Sequence, residues 1–297
     1  MINLDAKSKR KYIKAGRIAK KALEKGKETC KAGKSYLSVV DKVEKVIHKY
    51  GARPAFPVNI SVNDVGAHYT PYPGDEKYFE EGDIVKIDVG VHLDGFIADN
   101  ALTVEIGTKR HDDLIKAAEE SLDIAIKSIR PGVKTKDIGR NIESVIESRG
   151  FKPISNLSGH SIERYSLHSG LSVPNVPKGR GRIKKGMVLA IEPFATDGKG
   201  KVRNGENSRI VKLEKPRNLK GEDKEFYNWV KERFHHLPFT GRWCRSYGDD
   251  YEYRLKRLIR FNAAMTYPIL VEAKGSLVTQ REHTVIVTSK GAKIITN

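Results

Sequence analysis

Two aspartates lie among apolar residues between Glu81 and Val104, in the stretch EGDIVKIDVGVHLDGFIADNALTV. The β-branched run from Ile84 to Val91 predicts a buried strand, and the turn that follows it predicts a hairpin with a second strand. Asp88 is in the middle of the first predicted strand, and Asp99 is expected at the end of the second. Burying an unpaired carboxylate costs several kcal/mol. A hairpin that brings both carboxylates together therefore needs a cation. Taken alone, each aspartate is better explained as a turn residue or as a structural acid with a hydrogen-bond partner.

Three short segments of the first half recur, in the same order, in the second half. Residues 51–54, 59–61 and 81–88 are echoed by residues 150–153, 156–158 and 185–192. The last pair puts Glu192 at the position equivalent to Asp88. Each half also begins with two amphipathic helical patterns, at 6–31 and after Ser35 in the first, and at 110–129 and 136–148 in the second. We therefore expect a duplication: two α+β halves related by a pseudo-twofold axis, with both carboxylates at the centre.

The repeat is lost after Glu192. Residues 196–209 are polar and Gly-rich and predict a loop, and two helices are expected at 221–234 and 251–262. We expect a single catalytic domain over residues 1–297, with an N-half of about 1–108 and a C-half of about 109–204 and 266–297. Residues 205–265 would form an inserted helical subdomain. The last strands are expected at 276–280 and 284–288.

Five polar side chains interrupt predicted strands or follow them closely, and all have metal-binding chemistry: Asp88, Asp99, His160, Glu192 and Glu282. Two divalent cations and a bridging hydroxide would nearly neutralise the four carboxylates. A carboxylate-rich ligand set with one nitrogen suits Mn, Fe, Co or Zn. It does not suit a structural zinc site, which prefers Cys and His ligands. Such a pair of metals would activate a water molecule for hydrolysis. His68 and His168 occupy loops near these strands, where they could hydrogen-bond a substrate.

The net charge of the 297-residue chain is +18, and the first 50 residues hold 15 Lys and Arg against 5 Asp and Glu. Phosphate binding would explain this excess. A solvated lysine-rich helix face in a heat-adapted protein explains it better, because no RNA-binding motif accompanies the charge. No apolar run is long enough for a membrane span and the N-terminus has no secretory pattern, so we expect a cytoplasmic protein and, as the simplest state, a monomer.

The chain resembles the methionine aminopeptidases, in particular the type II, archaeal-like branch of the pita-bread fold. The resemblance covers nearly the whole length in family order, and the insertion after Glu192 is what separates type II from type I. It is carried by the segments Ala67-His68-Tyr69-Thr70-Pro71, Lys86-Ile87-Asp88-Val89-Gly90, Asp94-Gly95-Phe96-Ile97-Ala98-Asp99, Asn156-Leu157-Ser158-Gly159-His160, Leu167-His168, Ala190-Ile191-Glu192-Pro193-Phe194-Ala195 and Glu282-His283-Thr284. One departure is Arg281, where the family usually has Phe before the last ligand.

The resemblance implies a role for each of these residues. Asp88 would chelate one metal, Asp99 and Glu282 would bridge two metals, and His160 and Glu192 would complete the shell of the other. His68 and His168 would contact the substrate amide and stabilise the intermediate. An apolar, closed pocket for the methionine side chain would be lined by Phe56, Pro57, Leu167, Phe194 and Tyr267. The implied activity is co-translational removal of the N-terminal methionine from nascent chains with a small second residue.

Three other functions compete with this prediction. A proline-specific peptidase of the same fold would share the five ligands, but the insertion and the segment His68-Tyr69-Thr70-Pro71 argue against it. A non-catalytic pita-bread binding protein is disfavoured by the presence of all five ligands. A basic protein associated with RNA or ribosomes would bind RNA in a salt-dependent manner through its N-terminal lysines. A weak association with RNA or ribosomes through these lysines is compatible with the aminopeptidase activity.

Overall fold

The computed structural model describes residues 4–216 and 218–297. Within these ranges the helices are α1 Ala6–Thr29, α2 Tyr36–Lys49, α3 Asp112–Ser128, α4 Thr135–Ser148, α5 Gly221–Phe234 and α6 Tyr251–Arg260, with a 3₁₀ helix at Gly241–Tyr247. The bounds of these α-helices differ from the predicted ones by at most two residues. This is the usual uncertainty at helix ends.

The strands of the described residues form four sheets. In chain order they are β1 Arg53–Pro54, β2 Asn59–Val62, β3 Val65–Ala67, β4 Ile84–Leu93, β5 Phe96–Glu105, β6 Lys152–Pro153, β7 Ser158–Ile162, β8 Ser172–Pro174, β9 Val188–Ile191, β10 Phe194–Thr196, β11 Arg203–Leu213, β12 Phe239–Thr240, β13 Ala264–Val271, β14 Val278–Gln280, β15 His283–Val287 and β16 Ala292–Ile294. Each recorded pairing between these strands is antiparallel.

The N-half packs α1 and α2 against a sheet built on the long hairpin of β4 and β5. Strands β2 and β1 pair with the other edge of β4. The hairpin turns at Asp94 and Gly95, both with positive φ, which is the conformation that a two-residue type I′ turn requires. A core of buried apolar side chains from α1, α2 and the hairpin fills the space between helices and sheet. The amphipathic helices therefore cover one face of the hairpin, and its other face is available to a site.

The C-half repeats this order of elements, with α3 and α4 followed by β6 and β7. Its larger sheet has the order β16-β15-β9-β7-β8, and a smaller sheet has the order β14-β10-β6. A second apolar core lies between α3, α4 and these strands. Position by position, β4 with Asp88 corresponds to β9, which Glu192 follows directly.

The two halves meet along β5, which lies beside residues 280–284. Thr103 Oγ1 donates to the carbonyl of Gln280, and Gln280 N donates to Thr103 Oγ1, both at 2.8 Å. Thr284 Oγ1 is bonded in the same reciprocal way to the backbone of Asp99, at 2.7 Å. Glu282 N donates to the carbonyl of Ala101 at 3.0 Å. These bonds fix residues 280–284 of the C-half against the strand that carries Asp99.

Two sequence predictions are wrong. Residues 203–209, expected as loop, are the first part of β11, because this polar segment pairs with β13 and gains its order from that pairing rather than from burial. Asp99 is in the interior of β5 and not at its end, because the strand continues to Glu105. The helices α5 and α6 lie between β11 and β13 and have an apolar core of their own.

The segment from β11 to β13 is also tied to the N-half. Strand β13 pairs with β3, and the guanidinium of Arg242 forms a two-pronged ion pair with the Glu44 carboxylate of α2, with both distances at 2.6 Å. Both side chains are about nine-tenths buried. Among the described residues, no helix has the length and apolar composition needed to cross a membrane.

Candidate metal centre and substrate cavity

The N-half supplies two carboxylates from one face of its hairpin. In the strand register Asp88 is opposite Ala101, and Asp99 is opposite Gly90, so the two aspartates are diagonal neighbours on the same face. Gly90 is required here, because a Cβ at this position would lie 2.2 Å from the ring of Phe56. The absence of a side chain at Gly90 lets that aromatic ring pack beside the carboxylates.

The C-half supplies the remaining three side chains from three separate segments. His160 is on β7, Glu192 follows β9, and Glu282 lies between β14 and β15. The His160 Nε2 atom is 3.5 Å from Glu192 Oε1 and 3.8 Å from Asp99 Oδ2. One potential ligand atom from each of Asp99, His160 and Glu282 lies within 4.8 Å of the others. The structure thus brings all five predicted metal-binding residues to one place at the junction of the halves.

The electrostatics of this cluster are unfavourable for the protein alone. Burial raises the pKa of Asp88 to about 7, although hydrogen bonds involving Asp99, Gln280 and Asn59 oppose the shift. Burial and the charges of neighbouring carboxylates hold the pKa values of Asp99, Glu192 and Glu282 well above their usual range. Burial lowers the pKa of His160 to about 3. Four ionised carboxylates around a neutral imidazole need compensating positive charge that the described residues do not provide.

Several polar atoms of the cluster are buried without a hydrogen-bond partner among the described residues: Asp88 Oδ1, Asp99 Oδ1, His160 Nδ1 and Glu282 Oε1. Buried polar atoms in native proteins nearly always have a partner, and a bound ion is one of the recognised exceptions. Carboxylate oxygens with one imidazole suit a divalent transition metal. The residues that are present therefore fit a metal site.

The two predicted histidines flank this cluster. His68 has a φ of 67°, an uncommon backbone conformation for a non-glycine residue, and its Nδ1 is 3.2 Å from the carbonyl of Pro268. The ring of His168 is 4.3 Å from the ring of His160. Desolvation lowers the pKa of His68, and desolvation followed by the charges of His68 and Lys212 lowers the pKa of His168 to about 4. At neutral pH each histidine is therefore uncharged, with one N–H donor and one acceptor nitrogen.

A cavity of about 330 Å³, here called the inner cavity, is lined by all five predicted metal-binding residues. Its lining includes both histidines and four of the five residues predicted for the methionine pocket, Phe56, Leu167, Phe194 and Tyr267. Pro57 does not line it: the chain bends at Ala55 and Phe56, and Pro57 is buried elsewhere. Arg281 is half-buried and does not line the cavity either.

Comparison with known proteins places this geometry in a family. Residues 10–215 match the model of metallopeptidase family M24. A methionine aminopeptidase of Pyrococcus abyssi is 46% identical over 293 residues, which cover 96% of this chain and 98% of that protein. The chain belongs to the methionine aminopeptidases of family M24. Its prediction as a metallo-aminopeptidase with an α+β pita-bread fold is confirmed.

Solved structures show the same fold. The methionine aminopeptidase of Thermotoga maritima superposes with a TM-score of 0.72 at 27% identity and full coverage of both chains. A thermophilic Arx1 superposes with a TM-score of 0.86, covering 99% of this chain and 91% of the other. At 18% identity this second similarity concerns the fold alone. It includes the region of β11 to β13, since nearly the whole chain is covered.

Three polar residues contact the ligands and were not identified from the sequence. Asn59 is opposite Asp88 in the strand register, and Gln280 donates from Nε2 to Glu282 Oε2 at 3.3 Å. Thr284 fixes the backbone of Asp99. The available signal was a polar residue inside each short apolar strand, in the segments Asn59-Ile60-Ser61-Val62, Val278-Thr279-Gln280 and His283-Thr284-Val285. In a metal site such neighbours orient the ligands and tune their charge.

Proposed function

We propose that this chain removes the N-terminal methionine from nascent polypeptides that have a small second residue, in a reaction assisted by two divalent metal ions. The observation that carries the proposal is the convergence of four carboxylates and one imidazole in the lining of the inner cavity. Family membership supports the aminopeptidase chemistry, and relatives named methionine aminopeptidase support the choice of methionine.

The metal ions would be Co, Mn, Fe or Zn, held by Asp88, Asp99, His160, Glu192 and Glu282, with Asp99 and Glu282 shared between them. When bound, they would supply Lewis acidity and lower the pKa of water. The buried carboxylates compensate that positive charge, and their mutual repulsion is relieved by it. Asn59 and Gln280 hold the carboxylates in place through hydrogen bonds.

The two histidines act on the substrate. Both are neutral, so an N–H of His68 or His168 can donate to the scissile carbonyl oxygen while charge develops there. A donor that the protein already holds in place stabilises that charge without having to reorient during the reaction. The carbonyl of Pro268 near His68 Nδ1 orients this ring, and a proton on Nδ1 would leave Nε2 as the acceptor. His168, whose ring is 4.3 Å from that of His160, is then the histidine that can donate.

Selectivity for methionine would arise from the apolar part of the inner cavity. Phe56, Leu167, Phe194 and Tyr267 offer an apolar surface but no charged partner, so a charged side chain would lose its hydration without compensation. The limited volume of about 330 Å³ excludes a folded segment and admits the end of a chain.

The co-translational setting is part of the proposal, as are the cytoplasmic location and the monomeric state. The charge of +18 and the lysine-rich helix α1 support proximity to ribosomal RNA, because basic surfaces bind phosphate without sequence specificity. Neutralising Lys7, Lys9, Arg10, Lys11 and Lys14 should release the protein from ribosomes in a sedimentation assay. Unchanged co-sedimentation would remove this part of the proposal and leave the enzymatic part intact.

The enzymatic proposal is tested with a Met-Gly peptide and its N-acetylated form. The protein is stripped of metal and then supplied with Co or Mn, and released methionine is measured. Metal-dependent release from the free peptide alone is expected, because the acetyl group removes the free amine that the site should recognise. The Asp99→Ala variant should be inactive. No release with any metal from a folded protein would refute the proposal.

A further inference from the structure

A second cavity of about 880 Å³, here called the outer cleft, adjoins the inner cavity. The two share four lining residues: Leu167, His168, Pro238 and Tyr267. The outer cleft lies between residues 164–168 of the C-half, the end of β11 with the segment after it, and helix α5. A chain that leaves the inner cavity past His168 therefore enters the outer cleft directly.

The charge of the outer cleft is opposite to that of the inner cavity. In the part of the chain that the structure describes, its lining contains a single carboxylate, Glu214, and five lysine or arginine side chains: Arg164, Lys212, Lys215, Lys224 and Lys231. Among the described residues, none of these five cations forms an ion pair with a carboxylate within 4 Å. A concave surface with cations of one sign concentrates anions, because the low-dielectric walls focus the field.

The aromatic residues of the outer cleft are already engaged by protein groups. The ring of Tyr165 packs at a tilt of 47° against His235, with ring centroids 4.0 Å apart, and edge-on against His92 at 5.8 Å. The hydroxyl of Tyr227 donates to the carbonyl of Glu214, and Tyr267 packs edge-on against His68. Proteins that bind single-stranded nucleic acid use free aromatic faces as stacking platforms for bases. The outer cleft offers five cations, and the rings of Tyr165 and Tyr267 are already packed against histidines, which favours an acidic peptide over RNA.

We propose that the outer cleft receives the substrate chain beyond its second residue and favours acidic side chains there. This inference rests on the proposed function and adds a substrate preference to it. An extended chain advances about 3.3 Å per residue, so a cleft of this volume accommodates several residues. Acidic side chains in it would gain the attraction of Lys224 and Lys231 on α5, and of Lys212 next to His168. The preference should weaken with added salt, because Lys224 and Lys231 are exposed to solvent.

The test compares two peptides that share Met-Ala-Gly at the N-terminus and then continue with Glu-Glu-Asp-Glu or with Gln-Gln-Asn-Gln. At low ionic strength the metal-loaded wild-type enzyme should show a kcat/KM about tenfold higher for the acidic peptide, as is typical of electrostatic steering. In the variant K224Q/K231Q this ratio should fall to about one. The matched control K116Q/K127Q removes two exposed lysines from one helix, α3, outside the cleft, and should keep the wild-type ratio.

Binding gives a second readout that does not depend on turnover. A fluorescein-labelled Ala-Gly-Glu-Glu-Asp-Glu peptide should bind the full-length protein, and K224Q/K231Q should weaken that binding whereas K116Q/K127Q should not. Equal kcat/KM for the two peptides in the wild type would overturn the proposal. The proposal would also be overturned if a single-stranded RNA bound through Lys224 and Lys231 while the ratio of kcat/KM between the two peptides stayed at one. If neither peptide is cleaved but the acidic one still binds through these lysines, the cleft assignment stands and the proposed function fails.

Discussion

The inner cavity and the outer cleft share four residues but are built on different principles. The inner cavity takes Asp88 and Asp99 from the paired strands of the hairpin, and Glu192 and Glu282 from positions directly next to strand ends, so backbone pairing fixes the place of each carboxylate. The outer cleft presents exposed cations from a helix and from the segment that follows β11. Rigid strands suit a site that needs sub-ångström placement, and flexible lysines suit the recognition of variable sequences. We therefore expect single substitutions to have large effects inside and small effects outside.

The largest effect is expected for Asp99→Asn in the inner cavity. Methionine release should fall by more than about 100-fold with any divalent metal, which exceeds the loss usual for residues that only support a ligand. The control Asp94→Asn changes an exposed aspartate of the same hairpin, whose partner is Lys11, and should remain within twofold of wild type. Turnover is measured together with the far-UV circular dichroism spectrum. A folded Asp99→Asn protein with more than a tenth of wild-type activity would contradict the metal-bridging role.

The next largest effect is expected at the boundary between the two cavities. His168→Ala should lower kcat by about 100-fold, because it removes a donor placed for the scissile carbonyl oxygen. Metal content, measured by mass spectrometry of the purified protein, should not change. His48→Ala, on the exposed side of α2, serves as the control. A parallel loss of metal from the His168 variant would instead make this residue a support for the metal centre.

A smaller effect is expected at His92, which packs edge-on against Tyr165 of the outer cleft. Burial, followed by the charges of Arg53 and His235, lowers the pKa of His92 to about 4 from an ordinary 6.5. Between these values the unfolded chain binds the proton and the folded chain does not, so stability falls as the pH drops below about 6.5. From pH 7 to pH 5 this histidine should remove about 2 kcal/mol from the free energy of unfolding.

Urea unfolding at both pH values measures this loss. The variant His92→Asn retains an acceptor for the Gly95 N–H, to which His92 Nδ1 is bonded at 3.1 Å, and should lose about 2 kcal/mol less on acidification than wild type. His48→Asn should behave as wild type does. An equal acid sensitivity of His92→Asn and wild type would show that His92 is protonated in the folded protein.

An effect of similar size is expected for Gly90→Ala, which disturbs the apolar wall of the inner cavity by a single methyl group. The new Cβ would overlap the ring of Phe56, and the displaced ring would narrow the space for the methionine side chain. We expect KM to rise about tenfold with a smaller change in kcat, and stability to fall by about 1–3 kcal/mol. The double variant G90A/F56L, which makes room for the methyl group, should recover part of both losses. If the double variant recovered neither loss, the clash with Phe56 would not be the cause of the Gly90→Ala effect.

The sequence was most informative where one segment determined its own structure. The helices were predictable because their apolar residues recur at helical spacing. In the structure, Ser35 caps α2 by accepting from Ser38 N at 3.2 Å. The hairpin of Asp88 and Asp99 was predictable because its two strands are joined by a two-residue turn. The five candidate ligands could be selected because a carboxylate or histidine in a buried strand is costly without a partner.

The rest depended on contacts that are distant in sequence. Strand β11 begins with polar, exposed residues, and only its pairing with β13 makes it a strand. Asn59 and Gln280 could not be recognised as supports of the ligands until β2 and the segment at 280–284 were placed beside β4 and β5. The outer cleft joins residue 164 to residue 231, and no local pattern relates those two positions.

The central claim is that the five inner residues hold two divalent ions, and a metal titration tests it most directly. Metal-stripped protein is titrated with Mn or Co while bound metal and methionine release are measured on the same samples. We predict two equivalents bound per wild-type chain, with activity rising together with occupancy, and a loss of tight binding in Asp99→Asn but not in Asp94→Asn. Full activity without bound metal, or equal metal binding by wild type and Asp99→Asn, would contradict the account.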